Sequence, residues 1–415
     1  MICIDCAKRE PIKHFILSKS TTDNCNYCGK EKRCSDIRDV FKYIFECVEN
    51  NCITKDDLTP YEYALIFDCG SNHIASASID IVLQDWFDLR DECYYSDLDN
   101  SIPAKFLHDK ENHSVVFIED DGSLDLNIYE KHWEKFITHI NHNYRFFNVD
   151  AYNFLEEIFS ILSDNSLIKK DYLKQLNIGD AVYRARKVND YKQAKEFEKN
   201  LISELGAPPP NLATDQRMTP AGISGLYCAL ERNTCLSEIR ANTGDYVLSV
   251  QLTATKKIDL LDLTTLTNTQ NPEIDLLQKG MREELHKVNF IKNIIKKLSK
   301  PKGDANYLHY MSTQFIFEYF RKKYGSQVAG IVYPSVQTGG DGTNIIFFPE
   351  FNTLEEKNVQ RRFSFGIQNP FDNSSQCLLN IEKKSVRYHK IKAINVVHEE
   401  FPDQYQCFFP ELFNI

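Results

Sequence analysis

At 415 residues the chain is long enough for about two or three domains, each able to bury a core of its own. A hydrophobic content of 42% with 26% charged residues excludes a disordered or fibrous protein. Lys and Arg number 49 against 59 Asp and Glu, and the resulting net charge of −10 excludes the broad basic face that sequence-independent nucleic-acid binding needs, though not a local basic patch.

The opening residues, MICIDCAKRE, lack the charged-then-apolar layout of a secretion signal. No run of about 18 or more apolar residues is present to span a membrane. Thirteen cysteines without such a signal point to a reducing compartment, where thiols serve as metal ligands or small core residues. A cytoplasmic location is therefore expected, with no membrane partner.

The first chemistry in the chain is a pair of CxxC knuckles, Cys3-Ile4-Asp5-Cys6 and Cys25-Asn26-Tyr27-Cys28-Gly29, with eighteen residues between them. Two such knuckles supply the four soft ligands of a tetrahedral zinc site, and Gly29 suits the turn after the second pair. The alternative is four unrelated reduced cysteines. Cys34 is a spare, and Asp5 and His14 fit less well as ligands. A closed four-thiolate site leaves no coordination position for substrate, so the expected zinc is structural.

From Ser35 the pattern turns helical. Ile37, Val40, Phe41, Ile44, Phe45 and Val48 recur at three- and four-residue steps behind a cap at Ser35 or Asp36. Further helices are predicted around 61–67, 79–90, 129–142 and 151–162, interrupted over 115–125 by a turn at Asp120-Asp121-Gly122. The acidic Glu119-Asp120-Asp121 reads as a solvated turn. His132, His139 and His142 lie on a predicted helix, but no carboxylate or Cys completes a metal set at helical spacing, so a solvated face is the simpler reading. HEPN-type ribonucleases place an Arg shortly before a His on a helix; Arg9 and His14 have such a spacing but fall between the two knuckles.

Near Ile178-Gly179-Asp180 the composition changes to strands alternating with helices. Residues 181–186 alternate as a strand does, and 191–205 read as a helix ending at Gly206. Strands are predicted at 246–252, 257–263, 328–335, 343–348, 377–382 and 386–397. Helices are predicted at 283–300, whose lysines make a solvated face, and at 307–324. Gly339-Gly340-Asp341-Gly342 is a loop that needs positive φ angles.

The central stretch, Pro208 to Arg240, places a guanidinium, a phenol and a carboxylate on a loop, a strand and a helix. Arg184, Arg186 and Arg217 would approach one cleft if their strands are neighbours. Planar bidentate donors of this kind match phosphate oxygens, while the alternative for each is a structural salt bridge. Tyr227 is core filling or a face that stacks on a flat cationic ring such as nicotinamide. Glu238 either pairs with Arg240 or Arg232, or stabilises an oxocarbenium-like transition state beside a sugar. The pocket reads as a phosphate-and-ring binder with one catalytic acid.

Residues 181–348 resemble the RES domain. The matching residues are Tyr183-Arg184-Ala185-Arg186, Arg217-Met218-Thr219-Pro220-Ala221-Gly222, Leu226-Tyr227-Cys228-Ala229 and Thr234-Cys235-Leu236-Ser237-Glu238. The likeness continues through Tyr307-Leu308, Thr313-Gln314, residues 330–335, Asn344 and Phe347-Phe348. Tyr227 follows Arg217 by ten positions and Glu238 follows Tyr227 by eleven. The front half looks like the module joined to such domains in HEPN/RES proteins. What the resemblance implies is a fold like diphtheria-toxin-type ADP-ribosyltransferases and chemistry on NAD. It implies that Arg217 holds the pyrophosphate or nicotinamide ribose, Tyr227 stacks near the nicotinamide, Glu238 stabilises the ribosyl cation and Ser335 lines the same site. Met218-Thr219 departs from the aromatic-Asn pair more usual after that Arg.

The expected fold class is α+β. A zinc ribbon over 1–34 (Cys3, Cys6, Cys25, Cys28) and a mainly helical HEPN-like domain over 35–172 precede an ADP-ribosyltransferase-like mixed α/β RES domain over 173–415. The expected activity is cleavage of the nicotinamide–ribose bond of NAD by a bacterial toxin or anti-phage effector, with Glu238, Arg217 and Tyr227 catalytic and Tyr183, Arg184, Arg186, Ser335 and Asn344 binding substrate. Its alternatives are an ADP-ribosyltransferase acting on a macromolecule and a non-catalytic zinc-ribbon adaptor. The partners expected are NAD as substrate, an antitoxin or activating partner, and a second copy of the chain, with no strong nucleic-acid signal.

Overall fold

The computed structural model describes residues 1–68, 75–120, 124, 128–273, 275–299, 310–339, 341–356 and 377–393. It is an α+β protein with two compact units, Met1–His132 with Gln270–Phe290 and Trp133–Thr269 with Ile291–Ile415.

The first unit opens with a three-stranded antiparallel sheet of β1 (Ile2–Cys3), β2 (Thr21–Asn24) and β3 (Glu31–Ser35), with β3 in the middle. Helix α1 (Glu10–Lys19) connects β1 to β2. The chain entering it is held by a buried carboxylate: Glu92 accepts the backbone N–H of Lys8 at 2.9 Å and of the N-cap Arg9 at 3.0 Å. Helix α2 (Ile37–Asn51) starts where Asp36 accepts the Arg38 amide, as its cap position predicts. The predicted apolar stripe is its buried face, Val40, Phe41, Ile44, Phe45 and Val48.

Two of the shorter predicted helices lengthen into π-helical turns, Pro60–Tyr63 into Ala64–Asp68 and Ile79–Ile81 into Val82–Trp86. The second ends ahead of its predicted limit because Asp88 turns to φ 52°. The solvated-turn reading of Asp120 is corrected. Its side chain is fully buried and accepts from Arg282 Nε at 2.7 Å, with His286 Nε2 at 2.8 Å, so two donors replace water. Asp121 and Gly122 lie outside the described residues.

The second unit is built on a nine-stranded mixed sheet. Its strands are β4 (Leu173–Leu176), β5 (Ala181–Val188), β6 (Leu226–Ala229), β7 (Tyr246–Ala254), β8 (Ile258–Asp262), β9 (Gly330–Ser335), β10 (Gly342–Phe347), β11 (Thr353–Glu356) and β12 (Cys377–Lys390). Across the sheet they run β11-β12-β7-β5-β6-β10-β9-β8-β4. The two strands predicted over the tail are one long strand, β12, pairing with β7 through a register shift at Ser249/Gln251; residues 394–397 lie outside the described ones.

Alternating residues of β5, β6, β7 and β10, among them Val182, Leu226, Leu248, Val250, Ile345 and Phe347, join Leu201 and Leu205 in the main core. Helix α3 (Met311–Tyr324) is buried along Ile316, Phe317, Tyr319, Phe320 and Tyr324, with the Phe317 and Phe348 rings edge-to-face at 5.4 Å. Its predicted start at 307–309 lies outside the described residues. Of the predicted loop Gly339-Gly340-Asp341-Gly342, Gly339 is left-handed at φ 69°, Gly340 lies outside the described residues, and Gly342 opens β10 in place of a loop position.

Candidate active site

The site begins as a split between two strands. β5 and β6 pair only at Tyr183↔Ala229, whereas β5 pairs with β7 over eight residues. Where the β5–β6 ladder stops, the Tyr227 carbonyl accepts Arg184 Nη1 at 2.5 Å in place of a strand partner. The other Arg184 terminal nitrogen donates to the Gly206 carbonyl at 3.1 Å, and its buried Nε meets no protein acceptor. A cavity of about 470 Å³ opens at this split, lined by Arg184, Arg217, Tyr227, Glu238, Tyr333 and Asn344 among others.

Glu238 closes helix α4 (Arg232–Glu238), which follows β6 directly. The entry to that helix is set by Glu231, whose Oε2 accepts Thr234 Oγ1 at 2.9 Å and the Thr343 amide at 3.0 Å. Thr234 lies so close to β10 that a Cβ on Gly342 would stand 2.3 Å from its Oγ1, so only glycine fits there. At the far end of the helix Glu238 Oε1 accepts two hydrogen bonds, from Ser335 Oγ at 2.6 Å and Asn344 Nδ2 at 2.7 Å. Both donors are buried and stand on neighbouring strands: Ser335 ends β9, and Asn344 on β10 registers with Tyr333 on one side and Ala229 on the other. Oε1 is pinned, while Oε2 has no hydrogen bond among the described residues.

Arg217 stands on a loop held from two sides. Helix α3 presents Thr313, whose hydroxyl donates to the Arg217 carbonyl, and Gln314, whose amide donates to Asp215 Oδ1 at 2.9 Å and the Gln216 carbonyl at 2.8 Å. From the sheet, the Tyr227 hydroxyl accepts the Met218 amide at 3.2 Å and lies 3.0 Å from Thr219 Oγ1. Met218 and Thr219 are buried, so the residues that depart from the expected aromatic-Asn pair are supports of the loop. Burial pushes the Tyr227 phenol up to about 12, and the Thr219 hydroxyl and the Met218 amide only partly offset it. Tyr227 is thus a protonated group at neutral pH, which argues against a base.

The charges in the cavity wall are three guanidiniums, Arg184, Arg217 and Arg240, against two carboxylates, Asp215 and Glu238. None of the three arginines has an ion-pair partner among the described residues, although other arginines of the same unit do, as Arg186 and Arg321 show. Burial lowers the affinity of Arg184 for its proton, but a guanidinium keeps its charge in proteins. Cys228 and Cys235 also line the wall; burial pushes each thiol up to about 12, which leaves no thiolate nucleophile. The wall attracts anions and offers one oriented carboxylate oxygen.

Residues 181–367 match the RES domain family. The chain contains a RES domain. No curated protein matches the sequence. RES domains are associated with NAD-related toxin function.

Within the RES domain the fold brings together six of the eight residues singled out from the sequence. Arg217, Tyr227, Glu238, Arg184 and Asn344 line the cavity, and Ser335 touches it through Glu238. Two stand elsewhere. Arg186 lies on the same face of β5 as Arg184 but beyond the cavity; it pairs with Glu204 Oε2 at 2.7 Å and stacks on the Phe197 ring at 4.8 Å. Tyr183 lies under the Arg232 guanidinium at 4.8 Å. Of the two alternatives weighed for a β5 arginine, the salt bridge describes Arg186. Glu238 pairs with neither Arg240 nor Arg232, since Ser335 and Asn344 occupy it.

Sequence reasoning passed over Tyr333, Gln314 and Asp215. Tyr333 and Gln314 sit in stretches that resemble the family, but an apolar strand and a buried helix carry no signal of a cavity.

In the first unit Cys3, Cys6, Cys25 and Cys28 form a cluster whose four sulfurs lie within 4.8 Å of one another. Sγ of Cys3 is 3.7 Å from Cys28, and Sγ of Cys25 is 3.7 Å from Cys6. A tetrahedron with Zn–S bonds of about 2.3 Å has edges of roughly 3.8 Å, so the spacing fits a tetrathiolate metal site. The thiols of the cluster are pushed apart: burial raises Cys3 and Cys6, whereas at Cys25 the backbone amides of Cys28, Tyr27 and Cys3 outweigh burial and bring it down to about 6. Gly29 makes the second knuckle turn at φ 67°. Cys34 stands outside the cluster with its thiol on the Asp23 carbonyl. The histidines of 132–142 join no metal cluster among the described residues, and no described helix is long and apolar enough to cross a membrane.

Proposed function

We propose that the RES domain cleaves the nicotinamide–ribose bond of NAD, with water as acceptor, and that the protein is a bacterial toxin or anti-phage effector. The observation that carries this reading is the Glu238 carboxylate, pinned at Oε1 by Ser335 and Asn344 with Oε2 left free, in a cavity that also holds unpaired arginines. The diphosphate of the dinucleotide answers the guanidiniums of Arg217 and Arg184. The Tyr227 ring in the wall is the flat surface for the nicotinamide. Glu238 then faces the ribose, where its charge stabilises the oxocarbenium ion formed as the C1′–N bond breaks. The bonding electrons leave with nicotinamide, whose ring nitrogen becomes neutral. Water adds to C1′ and loses a proton, giving ADP-ribose. Ser335 orients the carboxylate and takes no direct part.

We also read the cysteine cluster as a structural zinc site, because four thiolates leave no position open. The chain is proposed to divide into ribbon, helical region and RES domain, with the N-terminal part restraining or sensing. The test is release of nicotinamide from NAD by the purified full chain, with ADP-ribose as the accompanying product. Intact NAD under conditions in which it binds the protein overturns the reading, and labelling of a macromolecule instead of free ADP-ribose replaces water by that acceptor.

A further inference from the structure

Arg240 is the third guanidinium of the cavity wall. It follows helix α4 as the residue after the C-cap Ile239, with φ 49° and its amide bonded to the Ser237 carbonyl at 3.1 Å. A left-handed residue at that place after a helix is usually glycine, because a Cβ crowds the backbone. Here an exposed arginine occupies it, lines the cavity and has no hydrogen-bond or ion-pair partner for its side chain among the described residues. The carboxylate two residues earlier does not hold it, since Glu238 is taken by Ser335 and Asn344. A left-handed backbone position that carries a cation without a partner among the described residues, facing a cavity, points to a ligand.

Resting on the NAD reading above, we propose that Arg240 is a substrate-binding residue that grips the diphosphate of the dinucleotide from the mouth of the cavity. Arg240 is two residues from Glu238, at most about 7 Å along the backbone. In NAD the diphosphate stands one ribose away from the bond that breaks. A carboxylate at the ribose and a guanidinium one sugar further out therefore fall in the order of the substrate's own groups. The side chain is exposed in the free protein and forms charge-assisted hydrogen bonds when the diphosphate arrives.

Inorganic pyrophosphate is the probe, titrated calorimetrically into the full chain and its variants. Arg240→Gly is expected to weaken pyrophosphate binding at least tenfold without lowering Tm, because glycine adopts φ 49° more readily than arginine. Arg240→Lys should fall between the two, since it keeps the charge but loses the bidentate fork. In NAD turnover, Arg240→Gly should raise KM by a similar factor at nearly constant kcat. Equal pyrophosphate affinity in wild type and Arg240→Gly overturns the proposal, as does an affinity loss accompanied by a fallen Tm. Glu238→Gln separates this from the parent reading: it should lower nicotinamide release roughly a hundred- to a thousandfold while keeping pyrophosphate binding. If wild type binds pyrophosphate through Arg240 but leaves NAD intact, the NAD reading fails and the anion site stands.

Discussion

Replacing Glu238 by Gln removes a charge and almost nothing else. Oε1 of the glutamine can still accept from Ser335 Oγ and Asn344 Nδ2, which lie at 2.6 and 2.7 Å in the wild-type protein. The new NH₂ group takes the place of Oε2, which faces no protein donor. Stability should therefore change by no more than about 1 kcal/mol, the scale of one ordinary hydrogen bond. The catalytic loss is much larger. Removing one preorganised electrostatic group at a site of developing charge costs about 2.7–4 kcal/mol, roughly a hundred- to a thousandfold in kcat. The substitution leaves Arg184 and Arg217, the diphosphate-binding residues of the proposal, in place, so KM should stay within about threefold. The assay is nicotinamide release followed chromatographically over a range of NAD concentrations, with Tm measured on the same preparations. Turnover by the variant within about threefold of wild type would refute the role given to Glu238, and a collapse of Tm would show that the carboxylate is structural.

Three further outcomes are expected. Tyr227→Phe removes the acceptor of the Met218 amide and the partner of Thr219, so the Arg217 loop loosens and KM for NAD rises. Because the folded phenol is held at about 12 against about 10 when unfolded, its stabilisation is full below pH 10 and is lost as pH rises toward 12; urea melts across that window should show a shallower decline in the Phe variant than in wild type. Purified protein should carry one zinc per chain, and Cys25→Ser or a chelator should remove it and lower Tm; metal analysis that finds none removes the site. Arg186→Ala should leave NAD turnover unchanged and cost about 1 kcal/mol in a denaturant titration, since it breaks a half-exposed pair with Glu204, a hydrogen bond to the Glu204 carbonyl and a stack on Phe197.

Local signals in the chain were enough for some of these features. The spacing of Cys3, Cys6, Cys25 and Cys28 is a local pattern, because each CxxC knuckle closes on itself and only the pairing of two knuckles is left to the fold. The face of α2 and its Asp36 cap are also local, set by 3.6-residue periodicity and one side-chain acceptor. The intervals from Arg217 to Tyr227 to Glu238 lead to one cavity wall, with loop, strand and helix following one another along the chain.

Tertiary structure decided the rest. Arg184 and Arg186 are both arginines on one face of β5, and residue type cannot tell them apart. They differ because β5 and β6 part after Tyr183 and Ala229, which puts Arg184 in the split and leaves Arg186 beside Glu204. Asp120 looked like part of an acidic turn, and only its meeting with Arg282 and His286, more than 160 residues on, made it a buried ion. The hydrogen bonds from Ser335 and Asn344 to Glu238 span about 100 residues and exist because β6, β10 and β9 are neighbours in the sheet. Composition and spacing determine which groups a chain has available; strand order determines which of them meet, because it is set by the packing of the whole core.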